Sequence, residues 1–75
     1  MIDQKKFLKL LNTQLDSESQ IKINDKLASK IDWDSLSVLH VIDLFETLNV
    51  KHINVEKIHK SKTAKDLYDL TKDEE

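Results

Sequence analysis

A chain of 75 residues and 8.8 kDa has room for one small domain, residues 1–75. It contains no Cys, Gly or Pro. That excludes a disulfide framework, a thiolate metal site, a cysteine nucleophile of its own, glycine-rich phosphate loops and the many tight turns of a β sandwich or barrel.

Helical periodicity begins at once. Over Asp3 to Leu15, at about 100° per residue, Phe7, Leu8, Leu10, Leu11 and Leu15 share one arc, and Lys5, Lys6, Lys9 and Asn12 fall outside it. This predicts an amphipathic helix laid on a core. Asp16 to Gln20 is a polar break. Ile21 to Trp33 reads as a long connection pinned by Ile21, Ile23, Leu27 and Ile31, with a short helical turn after Asn24 and Asp25.

The central helix is predicted from Asp34-Ser35 to about Leu48, with Asp32 or Asp34 as its N-cap. With Leu36 at zero, Leu48, Val41, Phe45, Val38 and Ile42 lie between about 120° and 240°, the expected buried arc. Ser35, Glu46, Leu39, Asp43 and Leu36 fall between about 260° and 360°, so two leucines sit among carboxylates beside a serine. Beyond Asn49, Val50, Ile53, Val55 and Ile58 are expected anchors, with a short helix over 54–59. Thr63-Ala64-Lys65-Asp66 resembles a capping box and opens a final helix through Thr71. Residues 72–75 are expected to fray. The predicted architecture is all-α, a small bundle of three main helices and one short helix with a long loop between the first two main helices.

Charge is segregated along the chain. Residues 1–30 carry six lysines against Asp3, Asp16, Glu18 and Asp25, and residues 31–48 carry Asp32, Asp34, Asp43 and Glu46 with no base. There is no Arg. A nucleic-acid reader needs a basic face and usually Arg, so nucleic acid is not an expected partner; the acidic block points toward a basic protein. No apolar run approaches the roughly 20 residues of a membrane span, and MIDQKKFLKLL lacks a signal-peptide layout. A cytoplasmic monomer without membrane insertion is the expectation.

An enzyme is not expected, and no catalytic residue is assigned. His40 stands five positions from Ser35 on one helix, about 140° around it, which prevents a Ser-His pair within that helix. Histidines 40, 52 and 59 have no metal-ligand spacing, so no metal site is expected.

The constellation that stands out is Trp33-Asp34-Ser35-Leu36, at the mouth of the central helix after a long loop. Here the chain resembles the acyl carrier proteins of the phosphopantetheine-dependent family, which attach their cofactor to the serine of an Asp-Ser-Leu motif at the start of their second helix. Asp34, Ser35 and Leu36 match that motif. The likeness extends over nearly all of the chain, through Phe45-Glu46, the anchors Val50 and Ile53, and Thr63 opening a last short helix. Ser37 and His40 stand where the common fatty-acid carriers often have acids, and Trp33 where small residues are frequent.

The resemblance implies a 4'-phosphopantetheine arm on Ser35, flanked by Asp34 and Leu36, that carries acyl groups as thioesters in fatty acid or related biosynthesis. It implies as partners a phosphopantetheinyl transferase and acyl-loading and acyl-transfer enzymes with basic patches. By position, Leu36, Leu39, Asp43 and Glu46 would be the docking face, the same face that the helical wheel isolates. An aminoacyl or peptidyl carrier with the same arm is the alternative, as is an unmodified acidic helical interaction module.

Overall fold

Asp3 begins the first helix as the spacing predicts. In the computed structural model, which describes residues 2–17 and 20–72, its carboxylate accepts the Lys6 N–H at 2.8 Å, and α1 runs Gln4–Leu15. Phe7 and Leu11 are fully buried, while Leu8, Leu10 and Leu15 are half-buried. The expected break over 16–20 starts at Asp16, which takes the left-handed conformation (φ 52°, ψ 46°) and ends α1. The Asp16 and Ser17 N–H groups return to the carbonyls of Thr13 and Asn12. Lacking glycine, the chain uses Asp here and Asn49 (φ 62°) after α3, residue types that tolerate this region at modest cost. The remaining break residues Glu18 and Ser19 lie outside the described residues.

The long connection is more ordered than its irregular spacing predicts. Asn12, on the polar side of α1, accepts the Ile21 N–H at 2.7 Å and donates to the Ile21 carbonyl at 3.1 Å and to the Leu8 carbonyl at 2.8 Å. Ile21 is thereby set fully into the core. The Asp25 carboxylate accepts the Lys22 N–H at 2.8 Å and folds the turn that leads into α2, Leu27–Lys30. Leu27 is fully buried.

The central helix, α3, spans Ser35–Thr47, followed by α4, Val55–Lys60, and α5, Ala64–Thr71. The described residues thus hold five helices and no strand, two of the helices short where the sequence predicted one. The second short helix is the expected turn in the long connection, drawn out by the burial of Leu27. α1 packs on α3 and α5, and α4 packs on the same two helices. At the centre Phe7 meets Tyr68 with ring centroids 5.4 Å apart, and the Tyr68 hydroxyl donates to the Ile2 carbonyl at 3.0 Å.

Three details differ from the sequence reading. The buried arc of α3 differs: Leu44 and Ser37, at about 80° and 100° on the wheel, are buried, and Ile42, at about 240°, and Leu48, at about 120°, are only half-buried. The reason is that α3 is covered by α1 on one side and α4 on the other, so its apolar face is wide. Val55, expected as an anchor, is 52% exposed, because six-residue α4 turns only Ile58 fully inward. Lys72, expected in a frayed tail, is the C-cap of α5 and holds its ammonium 4.6 Å from the Tyr68 ring centroid; residues 73–75 lie outside the described residues.

The N-terminus of α5 ties the long connection down. Thr63 and Asp66 form the expected capping box. The N–H groups of Ala64 and Lys65 donate to the carbonyls of Asp25 (3.2 Å) and Ile23 (2.8 Å), and Leu27 N–H donates to Lys62 (2.8 Å). Asp66 Oδ2 accepts the N–H groups of Lys62 and Thr63. The first of these bonds, set against the desolvation that opposes it and helped by the second, holds the Asp66 carboxyl below its ordinary value of 3.8. A depressed folded-state pKa means that its contribution is complete above the unfolded value and is lost as pH falls through the folded one. Unfolding by urea is therefore expected to show wild type losing more stability than Asp66→Asn on acidification below about pH 4. Thr63→Ala is expected to cost about 1 kcal/mol at neutral pH.

Candidate functional site

Asp34 adopts an extended backbone (φ −132°, ψ −169°) and its Oδ1 accepts the Ser37 N–H at 3.1 Å, which makes it the N-cap of α3. Asp32, the other cap considered from the sequence, contributes its carbonyl instead, accepting the Ser37 hydroxyl at 2.7 Å. The same hydroxyl lies 3.3 Å from Asp34 Oδ1. Ser37 is therefore a buried strut that fixes the segment ahead of the helix. Sequence reasoning gave it no role, although its place on the wheel at about 100°, beside Leu48, marks the edge of the buried arc.

Ser35 is the first residue of α3 and is exposed. Among the described residues no hydrogen bond engages its hydroxyl, and no acceptor takes the N–H groups of Ser35 or Leu36. The first N–H groups of a helix have no partner within it and carry the positive end of its dipole. At α5 the corresponding groups are filled by loop carbonyls. At α1 they belong to Gln4 and Lys5, with no hydroxyl nearby in sequence. Among the described residues, only α3 of the longer helices combines open N–H groups with an accessible serine at its first position.

Trp33 joins this mouth to α4. Its indole N–H donates to the His59 carbonyl at 3.2 Å, and the ring is half-buried against the core. His59 thus contributes its backbone rather than its imidazole. His40 is half-buried on α3 and His52 is exposed. Among the described residues no group of three or more His, Asp or Glu is placed to hold a metal ion.

The outer side of α3 presents Leu36 (62% exposed) and Leu39 (59%), with Asp43 and Glu46 exposed on the same side. These four and Ser35 form one continuous strip, since residues three and four apart are neighbours on a helix. Val55, the other large exposed apolar residue among those described, was not singled out for this role from the sequence, having been read as a core anchor. No helix among the described residues is long and apolar enough to cross a membrane. Compared with protein-family models, with curated proteins and with solved structures, the chain matches none.

Proposed function

We propose that the chain is an acyl carrier protein, modified with 4'-phosphopantetheine on Ser35 and presenting acyl thioesters to synthase and transferase enzymes. The observation that carries this reading is the exposed Ser35 at the open N-terminus of α3, inside an Asp-Ser-Leu triplet. The residues present suit the group. A phosphodiester on Ser35 Oγ would lie at the positive end of a 13-residue helix, where the unfilled N–H groups of Ser35 and Leu36 favour an anion. Asp34 is committed to the cap and keeps the serine at the first helical position.

When bound, the arm supplies the thiol that a chain without Cys lacks. Ser35 needs no general base in the chain, because the transferase brings the catalysis; accessibility is the requirement, and it is met. Ser37 and Trp33 hold the preceding segment, so the hydroxyl is offered from a defined position. Partners with basic patches would engage Asp43 and Glu46, and Leu36 and Leu39 would supply apolar contact beside the arm.

Intact-mass measurement after incubation with coenzyme A and a phosphopantetheinyl transferase tests the reading. Wild type is expected to gain the mass of one arm and Ser35→Ala none. A wild type that several active transferases leave unchanged would sink it and leave an unmodified interaction module. Charging of the modified form with acyl but not aminoacyl donors is the further expectation.

A further inference from the structure

We infer that the outer face of α1 docks peripherally on an anionic lipid bilayer. This goes beyond the carrier reading and does not depend on Ser35. Lys5, Lys6 and Lys9 are exposed on this face, and Gln4–Leu15 contains no acid. Of the carboxylates flanking the helix, Asp3 is engaged as the N-cap and exposed Asp16 stands at the far end. Asn12 also grips Ile21 against the helix, and the exposed Lys22 follows it, its N–H held by the Asp25 carboxylate.

The lysines of this face differ from several of those elsewhere, although Lys26, Lys51 and Lys62 also pair with no carboxylate among the described residues. Lys30, Lys60, Lys65 and Lys72 each pair with a carboxylate, whereas among the described residues Lys5, Lys6, Lys9 and Lys22 pair with none. Half-buried Leu8 and Leu10 border the lysine face on its two sides, and an open depression along α1 takes both into its lining. A cationic helix face edged by aliphatic side chains suits the headgroup boundary of a bilayer. The twelve residues of α1 would lie along the surface for about 18 Å.

Two features favour lipid over an acidic protein. The cations are all lysine, mobile point charges on long stems rather than the planar forks that recognise a fixed carboxylate array. The face also offers an open depression edged by half-buried leucines and no fully buried anchor, which a fluid layer of headgroups can fill. Opposite charge on the outer side of α3 orients the domain, because an anionic surface attracts α1 and repels Asp43 and Glu46. Ser35, on α3, is then left free for other partners.

Co-sedimentation with vesicles of phosphatidylcholine, alone or mixed with phosphatidylglycerol, tests this. At low salt the wild-type protein is expected to partition onto the mixed vesicles and not onto phosphatidylcholine alone, and to be released at about 0.5 M salt. The combined change of Lys5→Gln, Lys6→Gln and Lys9→Gln is expected to lower partitioning about a hundredfold, while circular dichroism and arm attachment stay as in wild type. Ser35→Ala is expected to bind vesicles as wild type does, which separates this surface from the carrier reading. Equal binding by the triple variant, or no binding of wild type to the mixed vesicles at low salt, overturns the inference; an acidic protein would then be the occupant to pursue.

Discussion

Asn12→Ala is expected to destabilise the domain by about 2–4 kcal/mol. Three hydrogen bonds converge on this side chain, and two of them satisfy both backbone groups of Ile21, a residue with no exposed surface. Alanine leaves those groups without partners in a half-buried setting, and each unsatisfied group costs roughly 1–3 kcal/mol. A domain of 75 residues has about 4–11 kcal/mol of stability in all, so the loss is a large share. It should appear as a lower urea midpoint with little change in slope. Asn12→Asp keeps the acceptor for the Ile21 N–H and loses the donor, so an intermediate loss is expected. A midpoint for Asn12→Ala within experimental error of wild type would mean that Ile21 is held by its own burial.

The second large effect is on rate. Reversing Asp43 and Glu46 together to lysine is expected to slow arm attachment or acyl transfer about tenfold or more at low salt, with the fold intact. Both side chains are exposed and make no ion pair among the described residues, so their charge is free to steer an incoming basic surface. The loss should fall on kcat/KM and shrink at about 0.5 M salt, where the Debye length is only a few ångströms. A carrier must release each partner in turn, which suits weak, fast, salt-sensitive encounters. Unchanged kinetics at low salt would reduce this strip to a solvated helix side with two stray leucines.

Most of the helices were legible because their signals are local. Asp3, Asp34, Asn54 and Thr63 each cap the helix that follows by accepting an N–H three residues on, an interaction within one turn. The exposed strip of α3 was legible for a similar reason, since the wheel gives relative direction once a helix is certain. Less legible was how far the buried arc reaches. Leu44 and Ser37 are covered because α1 and α4 flank α3 from two sides, and no spacing within α3 reports its neighbours. Val55 was misread because an apolar residue on a short helix has a burial that depends on how the helix is tilted against the core.

What the order of residues determined by itself is the all-α character, the position of each longer helix and the placing of Ser35 on the first residue of α3. Those follow from periodicity and capping, which act over a few residues and need no partner. Only the tertiary structure decided that the long connection is a fixed layer: Asn12 grips Ile21, and the N-terminus of α5 takes the carbonyls of Ile23 and Asp25. It likewise decided that the first N–H groups of α5 are filled and those of α3 are left open. The pairings of α5 join residues up to forty-two positions apart through backbone groups that every residue carries, so side-chain identity leaves no mark of them in the sequence.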